Sequence, residues 1–116
     1  MTLKEIAEIL EAEVIADSDE LDVLIKNACS ADMMSAVLYY HTPDSLLITG
    51  LTQPHVIRTA EIAGIKSIVF VLDKKPGVET IELAKLKKIP ILCTRFCMYT
   101  ASGKLYEAGL PGCLFK

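Results

Sequence analysis

The chain has 116 residues, 52% of them hydrophobic and 23% charged, with a formal net charge of −3. That length suits one domain burying roughly two thirds of its unfolded surface, and the composition lies near the globular average and far from disorder. The acidic balance leaves no polycationic footprint for nucleic acid, no apolar run approaches the ~20 residues of a membrane span, and the N-terminus "MTLKEIAEIL" is unlike a signal or transit peptide, so a cytoplasmic protein with neither partner is expected.

One domain is expected over residues 1–116, comprising a lead-in over 1–44, three strand–helix units over 45–109 and a tail over 110–116. "TLKEIAEILEAEVI" places Leu3, Ile6, Ile9 and Leu10 on one helical face. Thr2 is its N-cap with Glu5 three residues on, the pattern of a capping box, and the helix ends near Glu11. "AEVIA" (12–16) has the β-branched bias of a short strand, followed by the polar turn "DSDELD" (17–22). "LIKNACSA" (24–31) reads as a second strand, and Ala31 to Tyr40 as a helix with Asp32 as N-cap and Met34, Val37 and Leu38 inward.

From Ser45 the pattern becomes regular. "SLLIT" (45–49) is an apolar run, followed by a helix over 53–64 with Thr52 as N-cap, Pro54 in the first turn and Gly64 at the C-cap. "KSIVFVL" (66–72) precedes a helix over 76–88 with Lys85, Lys87 and Lys88 in its last turn, where cations oppose the macrodipole. "IPILCT" (89–94) precedes a helix from Met98 to Ala108 closed by Gly109. Runs that are apolar throughout, alternating with helices, demand a mainly parallel sheet covered on both faces, so the fold class is α/β.

In open α/β sheets ligands sit beyond the carboxyl ends of the strands, where helix N-termini present free N–H groups. That rule selects Thr49-Gly50-Leu51-Thr52-Gln53, Leu72-Asp73-Lys74-Lys75 and Thr94-Arg95-Phe96-Cys97. Together they offer Thr49, Thr52, Gln53, His55, Arg58, Asp73, Thr94 and Arg95 to a small anionic or hydroxyl-rich ligand, with Gly50 allowing close backbone approach. The competing structural account makes Thr52 a helix cap and Arg58 a surface charge. Neither G-x-G-x-x-G nor G-x-x-x-x-G-K-[ST] occurs, against a dinucleotide fold or a nucleotide triphosphatase, and G-x-S-x-G is absent. The only histidines are His41 and His55, too few for a His-rich metal site, and no cofactor is expected.

Four cysteines in a chain without an export signal are expected to be reduced. Cys93-x-x-x-Cys97 lacks the paired C-x-x-C spacing of structural zinc or iron–sulfur sites. Cys93 belongs to an apolar strand and behaves as a small hydrophobe. Cys97 stands at a helix N-terminus near Arg95, where a thiol pKa falls.

The strings "LKEIAEILEAEVI", "DSLLITGLTQPHVIRTAEIAGIKSIVFV" and "KIPILCTRFCMYTASGKL" together resemble a DRTGG domain, from Leu3 to about Leu105. Where the family carries Gly-Asp-Arg this sequence has Gly50-Leu51-Thr52; where it carries Thr-Gly-Gly stands Val71-Leu72-Asp73; and its Asp-Thr-Tyr appears as Cys97-Met98-Tyr99. Gly50 and Tyr99 are thus carried over, and Cys97 replaces an aspartate. The stretch "GKLYEAGL" (103–110) is similar to the ends of short stand-alone members of the family, often grouped with hydrogenase or quinone-reductase-like genes. The resemblance implies a fold like the N-terminal domain of HPr kinase/phosphorylase, a regulatory rather than catalytic role, and dimer formation.

The expected function is therefore a non-enzymatic regulatory module that binds a small anionic or nucleotide-like ligand and forms a homodimer. Met33, Met34, Tyr39, Tyr40, Leu110, Leu114 and Phe115 are apolar positions that the elements cannot easily hide. The alternatives are a thiol-based redox or metal-handling accessory using Cys93, Cys97 and Cys113, and an enzyme acting on a phosphorylated metabolite.

Overall fold

The computed structural model describes residues 1–16, 18–39 and 43–113; the expectations placed on Tyr40, His41, Leu114 and Phe115 fall outside them. Five strands form one sheet: β1 (Glu13–Ala16), β2 (Asn27–Ser30), β3 (Ser45–Thr49), β4 (Ser67–Phe70) and β5 (Ile91–Cys93), in the order β1-β5-β4-β3-β2. The four strands β2 to β5 run parallel, while β1 pairs antiparallel with β5 through a bulge between Val14 and Ala16.

Every residue of β3, β4 and β5 is buried, as strands covered on both faces require. Side chains alternate between two cores. Leu47, Ile68, Phe70, Ile91 and Cys93 pack with Val37 of α2 (Met34–Tyr39), with Val56, Ile57, Ala60 and Ala63 of α3 (Pro54–Ala63), and with Ala84 of α4 (Val78–Lys87). Leu46, Ile48, Val69 and Leu92 pack with Leu3 and Ile6 of α1 (Leu3–Ile9) and with Ala101 and Leu105 of α5 (Met98–Glu107). Three layers result. The polar residues at strand starts are satisfied inside them: the Ser67 hydroxyl donates to the Pro90 carbonyl at 2.7 Å, and the Ser45 hydroxyl to Asn27 Oδ1.

Several helix ends follow the sequence. The Thr2–Glu5 capping box is formed in both directions, Pro54 opens α3, and Gly64 closes it in the left-handed conformation at φ 75°. Other details differ. The second strand is only 27–30, because Leu24 bridges Thr2 and the Ile25 N–H donates to the Met1 carbonyl at 2.8 Å; residues 24–25 pair with the N-terminal segment instead of the sheet. Thr52 does not cap α3: Gln53 holds that position without a side-chain bond. Asp32 does not cap α2 either, since its carboxylate is engaged by Thr49 and Gly50. So short a helix presents one narrow row to the sheet, which buries Val37 and leaves Leu38 39% exposed. Lys88 lies just past α4, closing it in a left-handed conformation at φ 57°.

Candidate functional site

The carboxyl ends of β2 to β5 meet in loops fixed by side-chain and backbone hydrogen bonds. Asp32 Oδ1 accepts from the Thr49 hydroxyl at 2.9 Å and from the Gly50 N–H at 2.8 Å, so the loop leaving β3 is held by a carboxylate from the loop leaving β2. Charge-assisted bonds of this kind are among the stronger ones. The Thr80 hydroxyl of α4 donates to the Thr52 carbonyl at 2.7 Å, tying the same loop from the other side. After β4, Leu72 and Asp73 take left-handed φ values of 60° and 54°. Their N–H groups donate to the carbonyls of Phe96 at 2.9 Å and Thr94 at 2.8 Å, which fastens this loop to the one after β5.

The residues selected from the sequence fall into distinct environments. Thr49 is buried and spent on Asp32 and on the Leu51 N–H. The close approach expected at Gly50 is made by the Asp32 carboxylate. Gln53, His55 and Arg58 are exposed along α3, and Arg58 shares an outer groove with Glu79 and Glu82 of α4. Thr94 is buried, its hydroxyl donating to the Leu10 carbonyl at 2.7 Å. Arg95 turns to Glu11, with Nη2 2.9 Å from Oε1, and lies 4.7 Å from the centre of the Phe96 ring.

The cysteines separate as well. Cys93 is buried in β5, and burial, with Asp73 nearby, pushes its thiol pKa up. Cys97 is exposed at the N-cap of α5, 3.4 Å from the Thr100 hydroxyl. That hydrogen bond, and the amides of the first turn after it, hold its thiol below the usual range. Cys113 lies beside β2, across the sheet from Cys93 in β5. Among the described residues no group of three or more His, Cys, Asp or Glu side chains is arranged to hold a metal ion.

The cleft itself opens between the carboxyl half of β2 and α5, with a volume of about 360 Å³. Ile48 and Leu105 form its floor, Pro111 and Gly112 one wall, and Tyr99 and Tyr106 its rim, 88% and 74% exposed. Ser30 and Ser102, joined by a hydrogen bond of 2.6 Å between their hydroxyls, bridge strand and helix within it. None of its lining residues carries a formal charge. Of the positions selected from the sequence, Tyr99 lines it. Asp32, Tyr106 and Ser102 were not selected. Tyr106 follows Tyr99 by two helical turns, a spacing that puts both rings on one face, and that signal was available in the sequence.

These features define a three-layer α/β module with an uncharged, tyrosine-rimmed cleft between α5 and the edge strand of a mainly parallel sheet. The family model of the DRTGG domain matches residues 5–108, and the chain belongs to that family. A crystal structure of the CBS and DRTGG domains of the regulatory region of Clostridium perfringens pyrophosphatase, complexed with the activator diadenosine tetraphosphate, matches with a TM-score of 0.76 at 21% identity. The match covers 95% of this chain and 47% of that one, so the chain spans about half the length of this relative. No curated protein matches it. Leu72 and Asp73, which stand where the family pattern carries Gly-Gly, hold the left-handed backbone that favours glycine.

Proposed function

We propose that this chain is a non-catalytic regulatory module whose cleft between β2 and α5 takes a flat, uncharged ring, such as the base of a small nucleotide. The supporting observation is the pair Tyr99 and Tyr106, two largely exposed rings flanking a cleft of about 360 Å³ without charged walls. That size is in the range of small-molecule sites, and aromatic side chains stack on bases whatever their identity. Phosphates of such a ligand lie outside the cleft, in solvent. The structural relative, whose regulatory region was crystallised with a dinucleotide activator, makes adenine compounds the first to try.

Thermal unfolding with diadenosine tetraphosphate, ATP, adenosine and inorganic phosphate tests this. Saturating adenine compounds are expected to raise Tm by several degrees, and Tyr99→Ala and Tyr106→Ala to lose the rise. No shift with any adenine compound, or an equal shift in both variants, overturns the proposal. A shift with phosphate alone does so too, because it locates the ligand elsewhere.

Self-association belongs to the same proposal. Ile62 of α3 and Val78 and Leu86 of α4 are 73–74% exposed, an apolar outer surface that a second copy would cover. A second reading, thiol chemistry at Cys97, is favoured by its exposure and lowered pKa. It requires Cys97 to alkylate faster than Cys113 at neutral pH, measured by mass spectrometry of tryptic peptides.

A further inference from the structure

Cys29 and Cys113 stand side by side at the outer edge of the sheet. β2 is the terminal strand, and residues 111–113 run along its free side. The Ala28 N–H donates to the Pro111 carbonyl at 3.0 Å, and the Cys113 N–H donates to the Ala28 carbonyl at 2.9 Å. These bonds make a parallel bridge pairing Ala28 with Gly112. One step beyond the bridge, Cys29 and Cys113 are register neighbours whose side chains project from the same side of the sheet. The Cys113 thiol is near enough to raise the Cys29 pKa. Neighbouring strands lie about 4.8 Å apart, inside the roughly 4.4–6.8 Å of Cα separation that a disulfide spans. Both thiols are free and partly accessible.

We propose that Cys29 and Cys113 are a site of reversible oxidation, converted by a small-molecule disulfide into an intrachain disulfide that fastens residues 110–113 to β2. The Cys113 sulfur, having given up its proton, attacks one sulfur of the small disulfide and expels a small thiolate, which takes up a proton. The Cys29 sulfur then attacks the mixed disulfide at Cys113, its proton passing to the second departing thiolate. Two protein thiols are oxidised to one disulfide, and one small disulfide is reduced to two thiols. The order of attack follows from burial, which with the neighbouring Cys113 thiol pushes the Cys29 thiol up to about 12, leaving Cys113 as the first nucleophile. The bond locks in place the segment that covers this part of the sheet edge, which, if the segment detached, would be open to pairing with other chains. Pro111 and Gly112 also form a wall of the cleft, so the bond fixes that wall, a consequence that rests on the ligand-site reading above.

The full chain is incubated with oxidised glutathione, its remaining thiols are blocked, and it is digested without reductant. A peptide linking Cys29 to Cys113 is expected, with a Tm rise of more than about 5 °C, since the bond closes a long loop. Dithiothreitol reverses the rise, Cys113→Ser abolishes it, and Cys97→Ser keeps it. Absence of the linked peptide, a glutathione adduct confined to Cys97, or an equal Tm rise in Cys113→Ser overturns the proposal. The linked peptide is scored whether or not adenine compounds shift Tm, so the two readings fail separately.

Discussion

Leu72 and Asp73 hold left-handed backbone angles that side-chain-bearing residues adopt at a cost of roughly 1–2 kcal/mol each. The loop retains them because both N–H groups bond across to the loop after β5. Leu72 is 52% exposed, so removing its side chain gives up little packing. Leu72→Gly and Asp73→Gly are each expected to raise stability by about 0.5–1 kcal/mol in urea titrations, after the added freedom of glycine in the unfolded chain is subtracted. A loss of stability would mean that the side chains contribute contacts outweighing the strain. Cys29 leads to a second expectation. Its thiol rises from an ordinary value of 9.0 to about 12 in the folded protein, through burial first and the Cys113 thiol second. A raised pKa means that the folded state resists deprotonation, so the contribution is intact below pH 9 and is lost as pH climbs toward 12. Under reducing conditions the difference in Tm between pH 8 and pH 10.5 should therefore be larger for the wild type than for Cys29→Ala. The sequence assigned both thiol and loop residues to their segments, but neither the left-handed angles nor the Cys113 contact was legible, because each arises from a partner distant in sequence.

At the scale of elements, the strand–helix units from Ser45 onward were legible, because covered parallel strands are apolar at every position and the helices between them carry Gly and Pro punctuation. The lead-in was harder. Asp32 sits before a helix and reads as its cap, yet its carboxylate instead holds the loop after β3. The sequence does not show that β2 lies beside β3, and only that adjacency brings Asp32 to Gly50. Asp32→Ala is expected to cost about 1–2 kcal/mol by removing two charge-assisted bonds. Amide exchange at Gly50 should accelerate more than exchange in β4; uniform acceleration would make the loss a global one. At α5, the helical spacing of Tyr99 and Tyr106 was readable, but the strand edge facing them was not.

For the molecule as a whole, the apolar surface left on α3 and α4 is a property of the layer order. Burying Ala84 and Thr80 of α4 against the interior turns Val78 and Leu86 outward, whereas Leu110, counted from the sequence among the unhidden positions, is buried at 3% exposure. If a second copy covers this surface, light scattering at tens of micromolar should report a dimer, and Leu86→Glu a monomer of unchanged helicity. A wild-type monomer would remove self-association from the proposal. The sequence by itself determined the α/β class, the resemblance to DRTGG domains, the helix ends set by Thr2, Pro54 and Gly64, and the inert setting of Cys93, because these depend on periodicity, local capping chemistry and burial in a contiguous run. Only the tertiary structure decided that β1 lies antiparallel at one edge, that Asp32 serves another strand's loop, that Thr94 and Arg95 are engaged by Leu10 and Glu11, and that Cys113 rests on Cys29. Each of these joins residues far apart in the chain, and such pairings are fixed by the order of strands across the sheet, which no local pattern of residues encodes.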